Sequence, residues 1–63
     1  MEYYILSDGQ SFAAYYNSGA IYKAANVSDA QEFDSIEEAR ECLKEENKYL
    51  QGFSVYSVKI SPV

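Results

Sequence analysis

The chain has no histidine and no tryptophan, a single cysteine, Cys42, and a single proline, Pro62. Each scarcity closes a class of explanation. Without histidine, Ser-His-Asp and Cys-His nucleophilic arrangements cannot be assembled, and one thiol alone cannot build an ordinary structural zinc site. One cysteine also excludes an intramolecular disulfide, so no covalent staple supports the fold. No apolar run is long enough to cross a bilayer, and the opening Met-Glu-Tyr-Tyr-Ile lacks the basic start of a secretory signal. A cytoplasmic protein, of a bacterial or a host cell, is expected. No Gly-rich stretch resembles a phosphate cradle, and no cofactor, metal site or catalytic residue is predicted. Asp29, Glu32 and Asp34 come nearest to a cation site, yet their spacing fits no calcium loop.

What the chain does have is apolar and aromatic content. It is 48% hydrophobic over 63 residues, with seven tyrosines and three phenylalanines, which is enough to fold. A domain this small buries only about 60% of the surface its unfolded chain exposes, so its core is thin. Where disulfides and metals are absent, association with a copy or a partner is the common remedy. The net charge of −5 is unevenly placed, because eight of the ten acids fall between Asp29 and Glu46, against only Arg40 and Lys44. Such a surface is repelled by nucleic-acid backbones and anionic membranes. Direct nucleic-acid binding and membrane binding are therefore not expected, and the natural partners are basic or apolar.

One stretch reads as helix, about residues 35–50. Ser35 stands three residues before Glu38, the spacing of an N-cap hydroxyl and its third helical residue. Asp34, Glu37 and Glu38 suit the positive end of the helix dipole, and Lys44 and Lys48 its negative end. Ile36, Ala39, Leu43 and Leu50 make a narrow apolar stripe, with Cys42 on its flank as a small half-buried hydrophobe. The remainder alternates as strand, over about 2–7, 10–16, 20–25 and 53–60. Asp8-Gly9 suits a two-residue hairpin turn that would set Ser7 opposite Gln10. Asn17-Ser18-Gly19 suits a three-residue loop that would pair Tyr16 with Ala20. In the connection that follows, Ala30 and Phe33 are expected to tuck under the sheet edge.

The fold class is therefore α+β: residues 1–63 as a single small β-β-β-α-β domain, a mostly antiparallel four-stranded sheet with one helix packed on one face. The strand order is expected to be 3-2-1-4, with the helix crossing over so that the last strand runs parallel to the first. One helix covers one face only. With the helix over Tyr3, Ile5, Phe12, Ala14, Tyr22 and Ala24, the face carrying Tyr4, Leu6, Ala13, Tyr15 and Ile21 is left bare and too apolar for an ordinary wetted surface.

The predicted partner-binding residues follow from that assignment. Tyr4, Leu6, Tyr15 and Ile21 are expected to supply the apolar contact, and to form a homodimer interface. Glu38, Glu41 and Glu45 are expected to supply the electrostatic one. The acids from Glu37 to Glu46 extend over a rise of about 15 Å, or about one charge per 3 Å, against one per ~1.7 Å for duplex DNA. A basic nucleic-acid-binding protein is the kind of partner such a stripe attracts, although Arg40 and Lys44 dilute it and a solvated helix face with pairs such as Glu37 and Arg40 is the plainer account.

Tyr3-Tyr4-Ile5, then Phe12-Ala-Ala-Tyr15, then Phe33-Asp-Ser-Ile-Glu-Glu-Ala39 give a layout that resembles short phage or prophage proteins of unassigned role. The same order of strands around a Ser-Ile-Glu-Glu-Ala helix start is similar to the N-terminal domain of HicB-type antitoxins, without that family's Pro-containing loop before the helix. The function expected from the surface is that of a small, non-enzymatic interaction protein, a phage-type inhibitor or modulator that occupies a surface of a larger protein. The resemblance to HicB-type antitoxins implies a toxin-neutralising role as the alternative, and a third alternative is a structural subunit of a homo-oligomer.

Overall fold

The computed structural model describes residues 2–62; Met1 and Val63, part of the expected unit, lie outside the described residues. The chain runs β1 (Glu2–Ser7), β2 (Phe12–Tyr15), β3 (Ile21–Ala24), a short 3-10 turn at Val27–Asp29, α1 (Ile36–Glu45) and β4 (Ser54–Lys59). The strands form one sheet in the order β3-β2-β1-β4, the expected α+β domain with one helix on one face.

All pairings between these strands are antiparallel, including β1 with β4, where Leu6 faces Val55 and Tyr4 faces Ser57. The expected parallel arrangement of first and last strands is thus overturned. Its cause lies in the connection. Beyond β3 the chain turns through Val27–Asp29 and then descends from Ala30 as far as Phe33, level with Tyr4, so the helix makes the return and β4 must descend again.

The first hairpin also differs from expectation. Ser7 faces Phe12 rather than Gln10, and a four-residue loop, Asp8 to Ser11, joins the strands. Asp8 holds that loop: its carboxylate accepts from the backbone N–H of Gln10 at 2.9 Å and of Ser11 at 2.7 Å. These bonds hold the Asp8 carboxyl below its ordinary range. Buried Ser7 donates its hydroxyl to the Ser11 carbonyl at 2.8 Å and accepts from the Gly9 N–H at 3.0 Å, while Gly9 takes a φ of 93°. A side chain that hydrogen-bonds its own turn competes with the tighter turn predicted from the dipeptide. The shift is two residues, so no side chain changes face.

Beyond Ser7 and Phe12, β1 and β2 part. Gln31 donates its N–H to the Ala13 carbonyl at 2.9 Å, and Phe33 exchanges both backbone bonds with Tyr4, at 2.9 and 2.8 Å. Because Tyr4 already has β4 on its other side and Ala13 has β3, the segment 31–33 lies in the opening between the two central strands. Ala30 and Phe33 therefore tuck into the middle of the sheet rather than under its edge. The second turn is as expected, with Tyr16 donating to Ala20 at 2.8 Å and Tyr15 facing Ile21.

Ser35 caps α1, accepting from the Glu38 N–H at 3.2 Å. The helix stops at Glu45, short of the expected residue 50. Glu45 and Glu46 stand at the negative end of its dipole and Asn47 is a weak helix former, so propagation ends there. Turns carry the chain on. Leu50 donates to the Glu46 carbonyl at 3.1 Å and is buried, and Gly52, at φ 83°, redirects the backbone so that Phe53 enters the core.

Candidate interaction surfaces

The helix lies on the opposite face of the sheet from the one predicted. Its buried residues are Ala39 and Cys42, and they cluster with Leu6, Ala13, Leu50 and Phe53; Tyr4, Tyr15, Ile21, Phe33, Leu43 and Val55 surround them. Leu6 is 0% exposed. The four apolar side chains expected to meet a partner, Tyr4, Leu6, Tyr15 and Ile21, are therefore core and core margin of a single protomer. Two small residues, Ala13 at 1% exposure and Ala39 at 0%, let helix and sheet approach closely here. Phe12 and Tyr22, at the corresponding positions across the sheet, would hold a helix off.

Tyr15 and Cys42 join the two layers, with the phenol oxygen 2.8 Å from Sγ. Burial first, and then this contact, push the Tyr15 phenol well above its ordinary value. Burial also raises the Cys42 thiol, against the lowering effect of the Tyr15 hydroxyl. A thiol so placed stays protonated and unreactive. Cys42 is more deeply buried than its expected place on the helix flank, as the stripe that meets the sheet runs through Ala39, Cys42 and Leu43.

Glu38, Glu41 and Glu45 are exposed on the outer side of α1, together with Glu37, as predicted from the helical spacing. The structure thus separates the two groups of predicted site residues instead of bringing them together. The acids face solvent on one side of α1, and the apolar quartet lies beneath its other side. Among the described residues no group of three or more cysteine or acidic side chains could hold a metal ion, and no helix is long and apolar enough to cross a membrane.

The bare side of the sheet carries Tyr3, Ile5 and Ser7 from β1, Phe12 and Ala14 from β2, Tyr22 and Ala24 from β3, and Ser54, Tyr56 and Val58 from β4. None of these is charged. The charged strand residues Glu2, Lys23 and Lys59 all point to the helix side, where Lys23 lays its ammonium 5.7 Å from the centroid of the Phe53 ring. Tyr56 is 45% exposed. Tyr16, at 57% exposure beside the second turn, stacks on Tyr22 with ring centroids 4.3 Å apart. At the other end of the face an open recess of about 270 Å³ is lined by Ile5, Ser7, Gly9, Phe12 and Tyr56.

No family model, curated protein or solved structure matches this chain. Its surfaces must therefore be read from their own chemistry. Tyr3, Phe12 and Tyr22, which sequence reasoning placed under the helix, are at the bare face, and Tyr56 joins them there. The strands carry little signal that could have found them, because each face mixes tyrosine with aliphatic side chains, three tyrosines on the open side against Tyr4 and Tyr15 on the covered one. Tyrosine tolerates a wet edge because its hydroxyl can stay in water while its ring is shielded.

Proposed function

We propose that this chain is a small, acidic, non-enzymatic interaction module that works in the cytoplasm and binds a larger basic protein through the outer face of α1. Glu38, Glu41 and Glu45 supply the electrostatic contact. The observation that carries this reading is the separation of charge: Glu37, Glu38, Glu41 and Glu45 line one side of the helix, while the described strands present no charged residue to the open side of the sheet and only Glu32, alternating with Phe33, turns there. A partner selected by electrostatics meets the helix and not the sheet. An acidic stripe of this kind competes for the groove of a nucleic-acid-binding protein, and an inhibitor or modulator is the version of this role that follows.

The test is retention of basic nucleic-acid-binding proteins from the native host on the immobilised chain. Binding through α1 predicts retention at about 0.1 M salt, where the Debye length is about 10 Å, and release near 1 M, where it is about 3 Å. The triple variant E38K/E41K/E45K should lose the retained protein. Equal retention by the variant and the parent chain would remove the proposal.

A further inference from the structure

We propose that the free edge of β3 takes up an extended segment of a partner protein as a further, antiparallel strand, one that carries a carboxylate opposite Lys23 and an apolar side chain opposite Ile21. The inference is independent of what α1 binds. Backbone, shape and charge at this edge all point to that occupant.

The backbone comes first. β3 is an edge strand, paired with β2 alone. Tyr16 donates to Ala20, and in an antiparallel ladder bonded pairs recur at every second position, so Ala14 with Tyr22 and Phe12 with Ala24 make the remaining bonds. Ala13, opposite Lys23, turns its carbonyl the other way, to Gln31. The N–H and C=O groups of Ile21 and Lys23 therefore point out of the sheet, where an incoming strand would bond them.

The shape of the surroundings suits such a strand. Ile21 and Lys23 send their side chains to the helix side, and between β3 and residues 46–50 lie two recesses, of about 370 and 320 Å³, that share Ile21 and Tyr49. Lys23 and Lys48 line the first, Gly19 and Glu46 the second. An added strand sends alternate side chains to this side. The one opposite Lys23 enters the first recess, and the one opposite Ile21 meets Tyr49, which is 65% exposed and has the ring to shield it.

Charge decides what the strand carries. Among the described residues no salt bridge engages Lys23 or Lys48, and Lys23 rests on the Phe53 ring, which leaves its N–H donors for a carboxylate. Glu46, at the other end, favours an uncharged side chain there. A second copy fits worse. Edge-to-edge pairing of two β3 strands about a two-fold axis keeps their helix sides together, so Lys23 and Lys48 of both copies would gather on one face. A lysine on a short edge strand guards against such pairing, and the same charge selects a strand that bears an acid.

NMR titration of the chain with the capped peptide Thr-Glu-Thr-Ile-Thr, taken to millimolar concentration, tests the proposal. In an antiparallel strand this order sets glutamate opposite Lys23 and isoleucine opposite Ile21. The expected result is saturable amide shifts at Ile21, Lys23 and residues 48–50, with slowed hydrogen exchange at the Ile21 and Lys23 amides. N-methylation of the peptide at glutamate and isoleucine, whose N–H groups would meet the edge, should weaken binding about tenfold, and N-methylation at the central threonine should not. Lys23→Glu and Lys48→Glu, both at exposed positions, should each weaken it at least about threefold with the circular dichroism unchanged, as should lysine in place of the peptide's glutamate. No saturable shift, shifts confined to α1 or to the open face of the sheet, or equal binding by the peptide N-methylated at glutamate and isoleucine, by the lysine peptide or by the Lys23→Glu chain would each overturn it.

Discussion

The two faces of the sheet are both apolar, yet they solve different problems. Under the helix, Leu6, Ala13 and Phe53 are almost free of solvent, and the two tyrosines there have protein partners for their hydroxyls, Tyr15 sharing a hydrogen bond with the Cys42 thiol and Tyr4 donating to the Glu2 carboxylate. On the other face Ile5, Ala14 and Ala24 are as deeply buried, but what shields them is a rim of larger aromatic side chains, Tyr3, Phe12, Tyr22 and Tyr56, that keep part of their own surface in water. Burial on the first face comes from another layer and on the second from neighbours within the same layer. Only the second leaves edges that another molecule can cover.

The contrast can be broken most severely from the covered side. Leu6→Ala removes a fully buried side chain, a change that costs about 3 kcal/mol, against a total stability of about 3–9 kcal/mol for a domain of this length. Urea denaturation should therefore show a midpoint lowered by at least about a third. The next effect is alkaline. Cys42 and Tyr15 both have folded values raised above their ordinary 9.0 and 10.0, so the stability they contribute is whole below pH 9 and is lost as pH rises through the folded values. The urea midpoint should fall steadily above pH 9, and less steeply in Tyr15→Phe. A parent chain whose midpoint stays flat through that window would show that the Tyr15–Cys42 contact does not join the layers.

Ser35→Ala, which removes the cap of the covering helix, should cost about 1 kcal/mol, or about 4–8 °C of Tm by calorimetry. The smallest effect belongs to the open face. Tyr56→Ser at low concentration should shift stability by no more than about 0.5 kcal/mol, as for an ordinary surface position. A loss as large as that of Leu6→Ala would mean that the two faces are equivalent.

Much of this architecture is legible in the residues alone. Alternation in Tyr3 to Ser7 and Phe12 to Tyr15 sorts side chains to faces correctly even though the first turn is longer than its dipeptide suggests, because a two-residue slip preserves parity. Ser35 and Glu38 mark the helix start, and Asn17-Ser18-Gly19 fixes the second loop. The side on which the helix lands is not legible by periodicity, since both stripes are apolar. Lys23 adds to the ambiguity: it argues against a buried face, yet it sits on the covered side by laying its stem along the rim over Phe53. The direction of β4 is hidden for a different reason. It depends on the path of residues 25–35, whose sequence carries neither period and whose course is set by tertiary hydrogen bonds to Tyr4 and Ala13.

Those bonds have a kinetic consequence. The inner backbone edges of β1 and β2 are satisfied by Gln31 and Phe33, which the ribosome supplies long after Tyr4 and Ala13. The amino-terminal hairpin can therefore nucleate only at its tip, around Ser7 and Phe12, and has to wait, splayed, for a downstream stretch to thread into it. Contacts of such long sequence separation slow folding, and the pairing of β1 with β4, Leu6 with Val55, spans still more of the chain, so the sheet fills from the tip of its first hairpin to the middle and closes last at β4.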